Sequence, residues 1–230
     1  NSGTTLTLTA STGTLDLTGG TIQGGTVRST GGGGLAVAAF AGGTLDSVTL
    51  DTDASVSRGA TLTAVNGLTL ADGHRVLLNS DGNISRLSFT GPSQTLGGSG
   101  EVLFGGTNAN NFLTAGLTAG ETLTIGSGIT VHSGAGGQGG VLQANSTILN
   151  QGTIAADASG KTVTLTGSGL TNAGTLAAQS AGILALYGGY STARLGTLVN
   201  DGSGTINLGG VLDNSGTTLT LTASTGTLDL

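Results

Sequence analysis

The chain has 230 residues, of which 46 are Gly and 40 are Thr, and only 8% are charged. This composition excludes a helix-rich domain, because Gly destabilises a helix interior by about 1 kcal/mol and Thr favours strands. The net charge of −6 and the lack of Cys exclude disulfides, thiolate metal sites, cysteine catalysis and a basic surface for nucleic acid. Disorder and collagen are excluded as well, since 36% of the residues are hydrophobic, the Gly spacing is irregular and Pro92 is the single proline.

Short stretches in which polar and apolar residues alternate recur along the chain. They include residues 5–9, 14–17, 122–125 and 162–166. Successive side chains of a strand point to opposite faces, so this alternation predicts strands with one buried and one solvent-exposed face. The longest apolar run, residues 35–41, is much shorter than the ~20 residues of a membrane span. We therefore expect no capped helix and no membrane insertion of this segment.

The first and last seventeen residues of the chain are identical. Residues 1–17 and 214–230 both read NSGTTLTLTASTGTLDL, at an offset of 213 residues. Such identity predicts a tandem array, in which residues 1–213 form one β-solenoid repeat unit. Residues 214–230 then begin the next identical unit and continue the same solenoid. Because the chain also contains no Met, we expect it to be an excerpt from a longer polypeptide.

A finer and degenerate repeat lies within this unit. The triplet of Gly, Thr and an apolar residue recurs at a spacing of 22 residues, at Gly152, Gly174 and Gly196. A three-sided coil of parallel strands uses about this many residues per turn, and each coil buries its apolar interior only when the next coil stacks on it. The predicted fold is therefore all-β, a parallel β-helix (β-solenoid) with about 22 residues per coil and nine or ten coils per repeat.

A recurrent turn motif supports the coil. The motif Asn-x-Gly-Thr precedes an apolar strand position four times, and Asn and Gly tolerate the positive φ of sharp bends. We therefore predict structural turns at Asn1 and Gly3, Asn150 and Gly152, Asn172 and Gly174, and Asn214 and Gly216. If Asn150 and Asn172 occupy equivalent corners of adjacent coils, their amides lie ~4.8 Å apart and form a hydrogen-bonded ladder. Arg194 stands at the next equivalent position, so the ladder is expected to be short.

Three runs of the sequence resemble a known class of proteins. The runs GTIAADASG, LTNAGTLAA and TLGGSGEVLFGG are similar to degenerate repeats of bacterial surface proteins of the filamentous-haemagglutinin and autotransporter-passenger type, and of very large secreted repeat proteins. The resemblance covers nearly the whole chain. It implies a right-handed parallel β-helix that is exported across the outer membrane and displayed at the bacterial cell surface as a rod or fibre.

Residues suited to acid, base or metal chemistry are scattered. Asp51 and Asp53 form the closest carboxylate pair, and we interpret them as solvated charges near a turn. His74 is interpreted as a surface residue and His132 as an isolated one. The Gly-rich run after His132 lacks the Asp of calcium-binding nonapeptides. The sequence therefore predicts no catalytic residue, no metal site and no cofactor.

The few aromatic residues define one candidate ligand site. Tyr187, Tyr190 and Arg194 fall within eight residues and could offer a sugar a stacking platform and a hydrogen-bond donor. Alternatively, Tyr187 only covers the edge of a coil. The four Phe residues follow apolar strand neighbours and are predicted to lie in the solenoid interior: Phe40, Phe89, Phe104 and Phe112.

The predicted function is mechanical: a structural repeat of an extracellular bacterial fibre or adhesin stalk, which extends from the cell and mediates adhesion, aggregation or cell-cell connection. The expected partners are identical repeats joined head to tail, with self-association into fibres, and cell-surface glycans. One alternative is a carbohydrate-binding segment of an adhesin. Less favoured alternatives are a polysaccharide-active enzyme and an ice-binding solenoid, since the Thr-x-Thr pairs resemble ice-binding surfaces but do not recur once per coil.

Overall fold

The computed structural model describes residues 3–167, 169–220, 222 and 228–229. In chain order, the strands of the first half are β1 (Thr5–Thr9), β2 (Thr14–Leu17), β3 (Thr21–Gln23), β4 (Thr26–Thr30), β5 (Gly34–Val37), β6 (Gly42–Asp51), β7 (Ala54–Val56), β8 (Thr61–Leu70), β9 (Arg75–Ser80), β10 (Ser85–Gly91), β11 (Gln94–Gly98), β12 (Glu101–Gly106) and β13 (Asn111–Leu117). Those of the second half are β14 (Thr122–Ile125), β15 (Thr130–His132), β16 (Gly140–Ala144), β17 (Thr147–Asn150), β18 (Thr153–Ala156), β19 (Thr162–Thr166), β20 (Leu170–Asn172), β21 (Thr175–Ala178), β22 (Ile183–Tyr187), β23 (Gly189–Ser191), β24 (Thr197–Asn200), β25 (Thr205–Leu208), β26 (Val211–Asp213) and β27 (Leu228–Asp229).

The strands wind into a β-solenoid of about 9 turns with about 23 residues per turn, which confirms the predicted fold. Each turn passes three faces. The first face contains β1, β4, the second halves of β6 and β8, β11, β14, β17 and β20. The second face contains β2, β5, β7, β9, β12, β15, β18, β21 and β24. The third face contains β3, the first halves of β6 and β8, β10, β13, β16, β19, β22, β25 and β27.

Every strand pairs in parallel with the strand one turn away, so each inward position stacks on its equivalent. On the second face, one inward column of aliphatic residues runs through seven strands: Ala54, Val76, Val102, Val131, Ile154, Leu176 and Leu198. All seven side chains are buried. Burial of a Val, Leu or Ile side chain stabilises the fold by about 1.5–3 kcal/mol, so the columns hold successive turns together along the axis.

Two of the four predicted core phenylalanines lie in the core, and two do not. Phe89 and Phe104 are fully buried, as predicted. Phe40 is 66% exposed, because it lies at a corner after β5 in a left-handed conformation with φ 59°. Phe112 occupies an outward position of β13, where the guanidinium of Arg86 lies 5.8 Å from its ring centre. For these two residues the prediction of core packing was wrong.

The predicted amide ladder is present. Asn150 Nδ2 donates a hydrogen bond of 2.7 Å to Asn172 Oδ1, and the two residues are register partners in β17 and β20. Asn172 Nδ2 in turn donates to the carbonyl oxygen of Leu195 at 2.8 Å, so the ladder ends after two amides. Leu195 closes the four-residue helix α1 (Thr192–Leu195), a helix that the sequence did not predict.

The glycines of the turn motif act in two different ways. Gly3 and Gly216 have the predicted positive φ, at 70° and 69°. Gly152 and Gly174 do not: a β-carbon at either would collide with a backbone carbonyl oxygen of the neighbouring turn. Here the close approach of two turns, and not a left-handed bend, requires glycine. Of the motif asparagines, Asn1 lies outside the described residues, and exposed Asn214 accepts a hydrogen bond from Thr192 Oγ1 at 2.6 Å.

Candidate functional site

Eight ionisable side chains on successive turns form a continuous series of contacts, which we call the charged ladder. In order of contact, its members are Arg28, Asp51, His74, Asp53, Arg75, Glu101, His132 and Asp157. The charged ladder starts at the corner between the first and second faces and then crosses the second face. It contains both histidines of the chain.

The first part of the charged ladder is open to solvent. Arg28 Nε lies 3.0 Å from Asp51 Oδ2, and His74 Nε2 lies 3.3 Å from Asp51 Oδ1. On its other side, His74 Nδ1 lies 3.2 Å from Asp53 Oδ1, and Arg75 Nε lies 3.3 Å from Asp53 Oδ2. The side chains of Arg28 and Asp53 are 58% and 55% exposed. Pairs this exposed contribute little to stability, typically under about 1 kcal/mol.

The second part is more buried. Arg75 Nη1 lies 3.3 Å from Glu101 Oε1, which carries the charged ladder from β9 to β12. Glu101 Oε2 then lies 2.9 Å from His132 Nε2, and His132 Nδ1 lies 2.8 Å from Asp157 Oδ2. The His132 side chain is only 15% exposed. The other oxygen of Asp157 accepts hydrogen bonds from Ser133 Oγ at 3.0 Å and from the Gly134 N–H at 2.6 Å.

These contacts shift two pKa values in opposite directions. Burial alone would lower the pKa of His132, but the hydrogen bonds and charges of Asp157 and Glu101 outweigh burial and raise this pKa above 6.5. Burial would raise the pKa of Asp157, but its hydrogen bond and ion pair with His132 and the donors Gly134 and Ser133 lower it below 3.8. The pair is therefore charged on both sides over the mildly acidic range.

The sign of the linkage follows from these directions. A raised histidine pKa gives stability that is complete below pH 6.5 and is lost as the pH rises through the folded-state pKa. A lowered aspartate pKa gives stability that is complete above pH 3.8 and is lost as the pH falls through the folded-state pKa. The contact between His132 and Asp157 therefore stabilises the fold most between these two values.

In the most buried part of the charged ladder, the His132 and Ser133 side chains already have partners for their polar atoms. Both imidazole nitrogens of His132 contact carboxylates, so neither is available to accept a proton from a substrate or to bind a metal. The Ser133 hydroxyl donates to Asp157 and accepts from the N–H groups of Asp157 and Ala158, which leaves it bound on all sides. In the described part of the chain, no three His, Asp or Glu side chains are placed so that they could hold one metal ion together. The arrangement is a set of links between turns.

An open groove of about 390 Å³ lies beside the charged ladder on the second face. His74, Glu101 and His132 line it, together with Ser99 and Thr130. These three ionisable side chains already pair within the charged ladder. Asp72 also lines this groove and takes no part in the charged ladder.

The predicted sugar platform is not a single surface. Tyr190 is buried, its hydroxyl donates to the Leu165 carbonyl oxygen at 3.0 Å, and burial raises the pKa of the phenol to about 12. Its ring is therefore not available for stacking. Tyr187 is 50% exposed at the end of β22, and Arg194 is exposed at the end of α1. Arg194 lines a second open groove of about 390 Å³ with Tyr190, Val211 and Asp213, whereas Tyr187 is not part of this lining.

The stacking of the threonines bears on the ice-binding alternative. The Thr-x-Thr pairs lie on different faces or on distant turns, as their irregular spacing predicted. Single threonines also recur once per turn in two columns of four residues each. One column lies on the first face, at Thr5, Thr26, Thr49 and Thr69, and the other lies on the second face, at Thr130, Thr153, Thr175 and Thr197. Beside the column on the second face stand Ala155 and Ala177 instead of further threonines. Such a column needs no ligand to explain it, because Thr favours strands and equivalent positions stack when neighbouring turns have the same length.

The interpretation of His132 as isolated was wrong, because it lies between Glu101 and Asp157. Asp51 and Asp53 do lie near the turn between β6 and β7, but the sequence did not show that both contact His74. The sequence held a partial signal, because Arg28, Asp51 and His74 are each 23 residues apart, which is one turn of the solenoid. The later steps were hidden, since insertions between turns place Glu101, His132 and Asp157 at separations of 31 and 25 residues. Only the strand register shows that these residues meet.

No protein family, curated protein or solved structure matches this chain. Within the described residues, no helix is long and apolar enough to cross a membrane. The functional assignment therefore rests on the geometry of the solenoid and of the charged ladder.

Proposed function

We propose that the chain is a structural repeat of an extracellular bacterial fibre or adhesin stalk, a stiff rod that holds a distal surface away from the cell. One observation carries this proposal: parallel, in-register pairing continues through about 9 turns around one apolar core. In such a solenoid each turn contacts only its neighbours, so adding units lengthens the rod without changing the contacts within a unit. Adhesion, aggregation or cell-cell connection would then depend on the length of the rod, which sets how far from the cell its distal surface lies.

The charged ladder supports this proposal. Its contacts run along the rod axis, from the turn that contains Arg28 to the turn that contains Asp157. Axial links of this kind oppose the separation of turns under tension. They also replace disulfides, which the chain cannot form because it has no Cys.

The length of defined arrays tests the proposal. Proteins with one, two and four copies of residues 1–213 should appear in electron micrographs as rods that lengthen by ~45 Å per unit, given ~4.8 Å per turn. A single unit fused to an unrelated globular domain of equal mass is the control and should not show this increment. Arrays that form compact particles of unchanged length would refute the proposed rod.

The cellular part of the proposal needs a second measurement. Antibodies against the unit should label filaments outside the envelope of intact source cells. Deletion of one unit from the gene should shorten those filaments by the same ~45 Å and reduce adhesion or aggregation. Labelling confined to the cell interior would contradict the extracellular assignment.

Carbohydrate binding is the second candidate, and the open groove lined by Arg194 and Asp213 favours it. The exposed ring of Tyr187 lies outside the lining of this groove and is a separate candidate contact. Retention on a glycan array should fall at least tenfold in Tyr187→Ala and Arg194→Ala if these residues bind sugars. The exposed residue Ile84 provides the control substitution Ile84→Ala. Retention unchanged in all three variants would exclude this site.

A further inference from the structure

Identical residues occupy different faces at the two ends of the chain. Leu15 and Asp16 lie in β2 on the second face, where they pair with Leu35 and Ala36 of β5. Their counterparts in the second copy of the seventeen-residue sequence are Leu228 and Asp229, which form β27. That strand pairs with β25 on the third face. The second copy is thus one face further around the rod than the first.

The path of the chain explains this displacement. From β1 the chain completes nine turns, and β23 to β25 form the last of them. In the ninth turn β23 and α1 lead the chain past the first face, where Leu195 of α1 accepts a hydrogen bond from Asn172 of β20. The residues after β25 repeat this passage, because β26 pairs with β23 in a separate two-stranded sheet and Asn214 contacts Thr192 of α1. The second copy of β1 would have to occupy this passage if the unit were a whole number of turns. Since β26 already occupies it, the copy comes one face later.

We propose that each unit of the tandem array stacks on its predecessor with a rotation of one face, a third of a turn, so that three units restore the original orientation. This inference rests on the proposed function, because it requires units joined in one continuous rod. The surface concerned is the outer edge of the last turn, formed by β24, β25 and β26. Its partner is the first turn of a second copy, in which β1, β2 and β3 each pair along one edge only in the described part of the chain.

The observed register defines the contacts at this junction. Ile206 is the register partner of Leu228, and Asn207 is the register partner of Asp229. Ile206 is buried and is itself the register partner of Leu184, and Asn207 is the register partner of Ala185. The backbone of β27 therefore continues the register of β22 and β25 on the third face.

The rotation has a consequence for the surface of the fibre. The charged ladder lies mainly on the second face of one unit, and it would lie on the third face of the next unit and on the first face of the one after. A fibre built this way presents the charged ladder, and the grooves beside it, in three directions around its axis. A rod with a whole number of turns per unit would present them all on one side.

Disulfide trapping in a two-unit protein tests the rotation, and the absence of natural Cys makes the background clean. The protein would consist of residues 1–213 followed by residues 1–230. With Asn207→Cys in the first unit and Asp16→Cys in the second, oxidation should close a disulfide, because neighbouring strands are ~4.8 Å apart. We expect at least tenfold more cross-linked product for this pair than for the control pair.

The control pair places the first cysteine at Val199→Cys and keeps Asp16→Cys in the second unit. Val199 ends the second-face column that begins at Asp16, so it would be the neighbour of Asp16 if the unit were a whole number of turns. Cross-linking of the control pair, or of neither pair, overturns the proposed rotation. The length of the same protein in electron micrographs separates the two proposals. A rod twice as long as one unit supports the proposed function, and if the Asn207 cross-link does not form in that rod, only the proposed rotation is refuted.

Discussion

Removal of one histidine from the charged ladder should be much more harmful than removal of the other. His132→Ala deletes two charge-assisted hydrogen bonds, to Glu101 and Asp157, in a setting where the histidine side chain is 15% exposed. It also leaves two partly buried carboxylates without their cation. Such bonds contribute about 1.5–3 kcal/mol each, and breaking a buried pair costs about 3–5 kcal/mol, so we expect a loss of about 3 kcal/mol after partial solvent screening.

His74→Ala is the matched control, because His74 also lies between two carboxylates of the same charged ladder. Its side chain is 30% exposed, and that of its partner Asp53 is 55% exposed. Exposed pairs contribute about 0–1 kcal/mol. Both substitutions remove an imidazole that contacts two carboxylates, and the two sites differ mainly in how far these side chains are buried.

Thermal unfolding at pH 6, followed by circular dichroism, measures the difference. For a chain of this size 1 kcal/mol corresponds to a shift of about 2–4 °C in Tm, so His132→Ala should lower Tm by about 6–12 °C and His74→Ala by less than about 4 °C. Amide hydrogen exchange should rise in β12, β15 and β18 for His132→Ala. Equal shifts for the two variants would refute the argument that burial decides the strength of these links.

Three further predictions concern pH, the close approach of turns, and the core. Tm should be highest between pH 3.8 and 6.5 and fall above this range, and His132→Gln should flatten that fall in a pH series of melting curves. Gly174→Ala should destabilise the fold by about 2 kcal/mol or more in urea unfolding, whereas Gly97→Ala, where a β-carbon has room, should be nearly neutral. Phe104→Ala should cost about 3–5 kcal/mol, and Phe40→Ala, at an exposed site, under about 1 kcal/mol, by the same measurement.

Much of the fold could be predicted from the sequence because its signals are local or strictly periodic. Alternation over four or five residues defined strands such as β1 and β19. The 22-residue spacing of Asn150 and Asn172 matched one turn, so their amide contact could be predicted as well. Two residues whose separation in the sequence equals the turn length lie next to each other on adjacent turns.

The charged ladder could not be predicted in full, because its contacts depend on how many residues each turn contains. Glu101 and His132 are 31 residues apart and still meet, since the chain between them makes a longer excursion before it returns to the second face. Burial of an aromatic residue was equally hard to predict. Phe112 sits between two buried residues of β13, and the strand register places it on the outward face.

The strict alternation of charge along the charged ladder follows from the way turns stack. Identical residues can stack when they are neutral, as Thr153 on Thr175 and Ala155 on Ala177 do in the regular turns. Identical charges at a separation of ~4.8 Å repel, so a charged column in a solenoid is stable only if its sign alternates. Every contact in the charged ladder joins a cation or a histidine to a carboxylate, as Arg75 and Glu101 do across register partners.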